Sequence, residues 1–168
     1  NQRCLVVDRA VVVQLRRPNK QVAVQTKILL DLFAQRKGCS VASLLSDAPH
    51  MSIPICQLVN TPDEATAAVT EGVQTLKIKV AVGSLDQDVV RVAQIRDAVG
   101  PAIALRLDAN GRLSESDFSA WLEFLEGKPV EYLEQPMAPG LENRMLEMAE
   151  PFSTPLALDE SIAGMQSL

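Results

Sequence analysis

The sequence lacks the residue patterns that are typical of His/Cys metal sites, membrane spans and nucleic-acid-binding surfaces. It has one histidine and three cysteines, and neither type shows the spacing of a metal site. No segment approaches the roughly 18 consecutive apolar residues of a membrane span, and no signal-peptide pattern opens the chain. The net charge is −5, and no basic stripe is present. We therefore expect neither a membrane nor a nucleic acid among its partners.

The cysteines and the histidine have ordinary interpretations. Cys4, Cys39 and Cys56 are scattered and odd in number, so we expect buried thiols in a reducing cytoplasm. His50 lies in the polar DAPHMS segment, where we expect a loop residue, because a metal site needs several ligands. The first residue is Asn1 rather than Met, which favours a sequence that begins inside a longer protein.

What the sequence does contain is a repeat in which a strand-like apolar run ends in an acid. Asp108 closes LRLD, Glu134 closes VEYLE and Asp159 closes LALD, about 25 positions apart. That interval fits one strand, one helix and two loops. Units of this kind build a parallel sheet, and a long series closes it into a (β/α) barrel. Since the carboxyl ends of the strands form one rim, we expect the three acids to converge there.

The predicted elements form five strand–helix units of an architecture that normally has eight. We expect strands at residues 53–59, 75–80, 102–108, 130–134 and 155–159. Thr61 and Ser84 begin the capping boxes TPDE and SLDQ, which predict two helix starts. Residues 22–37 predict an earlier helix closed by Gly38, and a helical turn at 41–45 follows. CLVVDRAVVVQL fits either a strand or a buried helix, since its periodicity does not decide between them.

Two lysines lie one repeat before the first acid. Lys77 and Lys79 are two positions apart in LKIKV, so they share one face of a strand. A neighbouring ammonium disfavours the charged form, which makes a lysine a usable base near neutral pH. If the acids hold Mg²⁺, the α-proton of a metal-bound substrate carboxylate would face Lys79, and the metal would stabilise the enediolate. The alternatives are a surface lysine pair and acids that only cap helices or face solvent.

Three further polar residues flank the predicted acids. Arg106 shares the alternation of Asp108 and should lie one layer beneath it, with Asp108 or Glu134 as its carboxylate partner. Asn110 fits two interpretations equally: a residue beside the metal ligands, or a turn residue in ANG. Glu160 should point away from the site if the strand continues through it.

The motifs LKIKV, RLDANG, YLEQP and ALDES, in this order and spacing, resemble those of the enolase superfamily and its muconate cycloisomerase branch. The resemblance covers roughly residues 20–168. It implies an α/β fold in which residues 51–168 are the first five units of an enolase-type (β/α) barrel. It also implies that residues 1–50 are the C-terminal part of an α+β capping domain, which closes over the barrel mouth.

The resemblance also implies roles for the candidate residues. Asp108, Glu134 and Asp159 would be ligands of Mg²⁺, with Mn²⁺ as an alternative ion. Lys79, the second lysine of the KxK motif, would be the acid/base. Lys77 would be its electrostatic neighbour.

Within that branch, the chain looks most like the o-succinylbenzoate synthases of menaquinone or phylloquinone biosynthesis. The implied reaction is Mg²⁺-dependent dehydration of a cyclohexadiene hydroxy-acid, a small-molecule carboxylate. Dipeptide epimerases, N-acylamino acid racemases and muconate cycloisomerases share the motifs and are the alternative. The family has another lysine on the sixth strand, and the sequence ends at Leu168, before it. The alternative to an enzyme is therefore a partial barrel without catalytic activity. Its sheet would have open edges at the first and fifth strands.

Overall fold

The computed structural model describes the backbone at residues 5–7, 10–12, 20–49 and 52–164, and side chains at 25–49 and 52–162. The chain forms two compact units, Leu15–Ile53 and the combination of Asn1–Gln14 with Pro54–Leu168. Within the described ranges, every helix is too short or too polar to cross a bilayer. The predictions for Cys4 and His50 lie outside the described residues.

The smaller unit contains two helices, α1 (Lys20–Lys37) and α2 (Val41–Leu45). Both were predicted, and Gly38 ends α1 with a φ of +66°, the left-handed conformation that glycine adopts without strain. α1 turns an apolar stripe outward, and its four side chains are 51–67% exposed: Ile28, Leu29, Leu32 and Phe33.

The larger unit is built on one sheet with the strand order β1-β2-β7-β6-β5-β4-β3 in the described residues. The strands are β1 (Leu5–Val7), β2 (Ala10–Val12), β3 (Cys56–Leu58), β4 (Thr75–Lys79), β5 (Ala104–Asp108), β6 (Tyr132–Glu134) and β7 (Leu156–Ala157). From β3 to β7, each pairs in parallel with the next along the chain. The predicted α/β fold with a five-stranded parallel sheet is confirmed.

The predicted open edge at the fifth barrel strand, β7, is wrong. β2 pairs with β7 in parallel, with Ala10 opposite Leu156 and Val11 opposite Ala157, and β1 pairs antiparallel with β2. The backbone groups of β7 are therefore covered on both sides, and the ambiguous CLVVDRAVVVQL segment contains strands. The compact units divide residues 1–50, so the capping-domain assignment of that whole stretch stays a prediction.

Each barrel strand is followed by a helix. These are α3 (Pro62–Thr70), α4 (Leu85–Val99), α5 (Glu115–Leu125), α6 (Glu142–Ala149) and α7 (Glu160–Gly164). Ser84 and Gln87 form both bonds of the predicted capping box. Thr61 caps α3 as predicted, but Glu64 accepts from the backbone N–H of Asn60, at 2.7 Å.

The core is one apolar cluster formed by alternate residues of the strands and the inner faces of the helices. Its fully buried strand residues are Leu76, Ile78, Leu105, Leu107 and Leu133. α5 contributes four residues that are all at most 1% exposed: Phe118, Trp121, Leu122 and Leu125. Each such side chain contributes about 1.5–3 kcal/mol to the free energy of folding. The other residues of each strand point to the opposite face of the sheet.

Candidate active site at the carboxyl ends of the strands

The sheet register brings five of the seven predicted site residues into two rows on one face, while Asn110 and Asp159 follow the ends of their strands. Lys79 on β4 lies opposite Asp108 on β5, and Asp108 lies opposite Glu134 on β6. One layer beneath, Lys77 lies opposite Arg106, and Arg106 lies opposite Tyr132. The strands are parallel, so their carboxyl ends lie at the same rim, and the repeat spacing was enough to predict the alignment of Asp108 with Glu134.

Lys77 joins two of the predicted metal ligands. Its Nζ lies 2.7 Å from Asp108 Oδ2 and 2.9 Å from Glu134 Oε2. Burial lowers the pKa of Lys77, but its hydrogen bonds to the two carboxylates and their charges outweigh that effect, so the pKa lies well above its ordinary value. Lys77 therefore lies beside the carboxylates of Asp108 and Glu134, in addition to having Lys79 two positions away on its strand. The predicted coupling between the two lysines stays a prediction.

Lys79 begins a second hydrogen-bonded group. Its Nζ donates to Asn110 Oδ1 at 2.9 Å, and Asn110 Nδ2 donates to Glu160 Oε1 at 3.1 Å. The backbone N–H of Asn110 also donates to Asp108 Oδ1 at 3.0 Å. Asn110 is both a turn residue, with a φ of +47°, and a neighbour of the candidate base and acid. The two interpretations of this residue are compatible.

The prediction that Glu160 points away from the site is wrong. It assumed that the strand continues, but β7 ends at Ala157 and Glu160 is the first residue of α7. The change from strand to helix turns its carboxylate toward Asn110. An acid in a first helical turn is a recognisable sequence signal, and it could have identified this helix start.

Gln135 was missed by the sequence analysis. It is fully buried, and its Oε1 accepts from the backbone N–H groups of Asp159 and Ser161 at 3.0 and 3.1 Å. Its Nε2 donates to the backbone oxygen of Met137 at 3.0 Å and to Ser161 Oγ at 2.7 Å. One side chain thus fixes the turn after β7, which contains the third predicted ligand. No local pattern in YLEQP indicates these partners.

Asp159 is the exposed member of the predicted acid triad. Among the described residues, no three His, Cys, Asp or Glu side chains are grouped closely enough to hold a metal ion. The donors nevertheless fit a hard divalent cation, because they are carboxylate oxygens and two of them already share one positive charge. The assignment of Asp108, Glu134 and Asp159 as metal ligands stays a prediction.

The predicted partner of Arg106 is wrong. Its Nε and Nη2 donate to the two carboxylate oxygens of Glu131, at 2.9 and 3.0 Å, and its guanidinium lies over the Tyr132 ring. These bonds raise the pKa of Arg106, against a smaller opposing effect of burial. The register explains the pairing, because Arg106 lies opposite Tyr132 and Glu131 immediately precedes Tyr132. Lys77, rather than Arg106, is the residue that bonds Asp108 and Glu134.

The prediction of buried cysteines is also wrong for the two that the structure describes, because Cys39 and Cys56 are exposed free thiols. Cys39 follows the end of α1, and Cys56 lies on β3, the edge strand of the sheet. Partial burial raises the pKa of the Cys56 thiol, and the nearby charge of Arg106 partly opposes this.

The backbone is strained at the same rim. In the described backbone, three non-glycine residues have positive φ: Ala81 at 58°, Asn110 at 47° and Gln135 at 38°. They follow the ends of β4, β5 and β6 by one or two residues. Such conformations cost most residues about 1–3 kcal/mol, and asparagine less, and they concentrate at functional sites. Their position supports the rim as the site.

An ion pair between the buried Asp88 and the partly buried Arg91 holds the end of β4 from the helix side. Arg91 Nη2 donates to the backbone oxygen of Lys79 at 2.7 Å and to Asp88 Oδ1 at 2.5 Å. Asp88 is 2% exposed, and its Oδ2 accepts from the backbone N–H of Val82 at 3.1 Å. The pair therefore anchors both Lys79 and the turn that follows it. The sequence analysis did not identify this pair.

Comparisons with known proteins show which family the chain is similar to. A family model described as "Enolase C-terminal domain-like" matches residues 60–168. An o-succinylbenzoate synthase from Thermosynechococcus vestitus is 34% identical over 118 residues, which cover 66% of this chain and 37% of the relative. The L-Ala-D/L-Glu epimerase from Bacillus subtilis is also 34% identical, over 110 residues, which cover 62% of this chain and 30% of the relative.

The structural comparison leads to the same group of proteins. The crystal structure of an o-succinylbenzoate synthase from Thermosynechococcus elongatus, complexed with Mg in the active site, superposes with a TM-score of 0.61 at 31% identity. The match covers 66% of this chain and 37% of that one. The matched stretch thus spans about a third of the length of each of these relatives. Two relatives with different reactions are equally identical to it, so identity does not select the reaction.

Proposed function

The chain belongs to the enolase superfamily, whose C-terminal domain model matches residues 60–168, and we propose that the protein is a Mg²⁺-dependent enzyme that removes a proton α to a carboxylate. The observation that supports this most is the pair of rows at the strand ends. They place Lys79, Asp108 and Glu134 side by side, with Lys77 beneath.

In this proposal, Asp108, Glu134 and Asp159 hold the ion. Bound there, Mg²⁺ would supply a Lewis acid that makes the α-proton of a substrate carboxylate easier to remove. Lys77 keeps two of the three acids together and balances their charge. Gln135 fixes the backbone of the third. Arg106 supports the layer beneath through its bonds to Glu131.

Lys79 performs the proton transfers. Its neutral Nζ takes the proton from the carbon α to the substrate carboxylate, and the same nitrogen returns a proton to the departing hydroxyl group, which leaves as water. Asn110 holds this nitrogen at the rim through its Oδ1. A double bond forms in the substrate ring as the C–H and C–O bonds break, so atoms and charge balance without a further reactant.

For the reaction, we propose dehydration of a cyclohexadiene hydroxy-acid to o-succinylbenzoate, a step of menaquinone or phylloquinone biosynthesis. The similarity to the synthases from Thermosynechococcus supports this choice. The second candidate is epimerisation of a dipeptide, because the Bacillus subtilis epimerase is equally identical. Both reactions begin with the same loss of an α-proton, so the residue roles above serve either one.

A substrate comparison tests the choice. The purified protein with Mg²⁺ should convert the cyclohexadiene hydroxy-acid to o-succinylbenzoate, followed by ultraviolet absorbance, and should epimerise L-Ala-L-Glu slowly or not at all. Robust epimerisation without dehydration would reject the synthase assignment and favour the second candidate. Neither reaction, in a folded and Mg²⁺-saturated protein, would reject both.

A further inference from the structure

Three polar side chains form a hydrogen-bonded chain that links the proposed base to an acid with no assigned role. Lys79 on β4 donates to Asn110, which lies in the turn after β5, and Asn110 donates to Glu160, the first residue of α7. The two distances are 2.9 and 3.1 Å, both within the range of good hydrogen bonds. The chain crosses the rim from one strand–helix unit to another.

The charges at its two ends determine how the Asn110 amide is oriented. Its Oδ1 faces the ammonium of Lys79 and its Nδ2 faces the carboxylate of Glu160. A flipped amide would place its NH₂ group against the ammonium and its oxygen against the carboxylate, which is unfavourable at both ends. Bonds to charged groups are roughly twice as strong as neutral ones. Glu160 therefore helps to fix the oxygen that holds Lys79.

The backbone makes both attachment points rigid. Asn110 has a left-handed φ of +47°, which asparagine tolerates, and its N–H is bonded to Asp108 Oδ1. Glu160 precedes Ser161, whose N–H and hydroxyl are both bonded to the buried Gln135. Neither Asn110 nor Glu160 can shift freely without breaking these bonds.

The surroundings of Glu160 agree with a role directed at Lys79. Its second oxygen, Oε2, is buried and has no hydrogen-bond partner among the described residues. A buried carboxylate oxygen is costly unless positive charge compensates it. In the hydrogen-bonded chain this positive charge is the Lys79 ammonium, which the Asn110 amide separates from Glu160.

We infer that Glu160 is a positioning residue that acts through Asn110 to hold Lys79 Nζ where it meets the substrate. This inference rests on the proposed role of Lys79 as the base. It predicts that removal of the Glu160 carboxylate loosens the lysine and slows proton transfer, while Mg²⁺ binding is retained.

The first test needs no substrate. The intact protein is treated with a small amine-acetylating reagent, and mass spectrometry gives the labelling rate of Lys79. Glu160→Ala should raise that rate by about three- to tenfold, the effect of weakening one hydrogen bond to a charged group. Glu160→Gln keeps an oxygen that can accept from Asn110 but loses the charge, so it should raise the rate less than Glu160→Ala does. Glu147→Ala, at an exposed acid on α6, is the control and should change nothing.

The second test measures kinetics with whichever substrate the protein turns over. Glu160→Ala should lower kcat by about 10- to 100-fold and change KM by less than about threefold, because misplaced catalytic groups slow chemistry more than binding. Glu160→Gln, which keeps the acceptor without its charge, should recover part of the loss. Asn110→Ala and the double variant Asn110→Ala/Glu160→Ala should be equally slow, since both changes break one chain.

The outcomes separate this inference from the proposed function. Faster labelling of Lys79 in Glu160→Ala supports the inference even if neither candidate reaction is found. Unchanged labelling in a folded Glu160→Ala protein overturns it, whatever the reaction proves to be. Weaker Mg²⁺ binding with unchanged labelling also overturns it, and would make Glu160 a metal ligand instead.

Discussion

Lys77 Nζ lies 2.9 Å from Glu134 Oε2, although β5 separates their two strands in the sheet. The lysine reaches across β5 and upward by one row, and it meets Asp108 on the way, at 2.7 Å. Two acids from neighbouring strands are thereby gathered around one positive charge. Acids arranged in this way would repel each other without that charge, so Lys77 stabilises the geometry that the proposed site needs.

Replacement of Lys77 by Met should lower the free energy of unfolding by about 1.5–3 kcal/mol, because hydrogen bonds to charged partners are lost. The pKa of Lys77 is raised in the folded state, so its contribution is fully present below the ordinary lysine value of 10.5. It is lost only as the pH rises from there toward the folded-state pKa. Urea unfolding should therefore give the same difference between the two proteins at every pH from about 7 to 10. A difference that already shrinks between about pH 7 and 9 would mean that the pKa is not raised.

Conservative changes at the three acids should remove the response to Mg²⁺. Asp108→Asn, Glu134→Gln and Asp159→Asn each retain size but lose a charged oxygen ligand. Titration calorimetry should show Mg²⁺ affinity lowered by at least about tenfold in each variant. Glu131→Gln is the matched control, since that acid bonds Arg106 in the row beneath, and its affinity should match the wild type. Wild-type affinity in any of the three variants would exclude that acid as a ligand.

Gln135→Leu should weaken Mg²⁺ binding without touching a ligand. The change leaves the buried backbone groups of Asp159, Ser161 and Met137 without their partner. Changes to residues that support metal ligands typically lower affinity by about 10- to 100-fold. Ser161→Ala removes the hydroxyl that bonds Gln135 and Glu142 but leaves the backbone bonds of Gln135 in place, so it should have the smaller effect. Equal Mg²⁺ affinity in Gln135→Leu and the wild type would show that Gln135 serves folding alone.

Asp88→Asn should destabilise the protein more than Asp86→Asn does. Both acids lie in the first turn of α4, so their effects on the helix dipole are similar and cancel in the comparison. Only Asp88 is buried, and only it holds Arg91 and the Val82 N–H. We expect an excess loss of about 1–3 kcal/mol in urea unfolding. Equal losses would show that the ion pair contributes little to the end of β4.

The features predicted from the sequence are those encoded locally. Strand alternation and the capping residues Thr61 and Ser84 indicate where the elements begin, and the repeat length aligns the acids of β5 and β6. These signals lie within a few residues of the structure that they specify. The fold class and the row containing Lys79, Asp108 and Glu134 could therefore be predicted.

The features that could not be predicted depend on distant pairings. The partner of Arg106 is determined by the register between β5 and β6, and the partner of β7 is a strand about 145 positions earlier in the chain. Glu160 reaches the site because β7 ends early, and Gln135 is buried by residues from other elements. No local pattern specifies these contacts.

The central claim is that Lys79 removes the substrate α-proton, and Lys79→Met tests it most directly. With Mg²⁺ and the substrate that the wild type turns over, the rate of loss or exchange of the α-proton in D₂O can be followed by NMR. The account predicts a fall of at least about 100-fold in a folded variant with wild-type Mg²⁺ affinity, since general-base catalysis contributes about 10²–10⁴. Lys27→Met, at an exposed lysine on α1, should exchange at the wild-type rate. α-Proton loss by Lys79→Met at a rate within about threefold of the wild type would contradict the account.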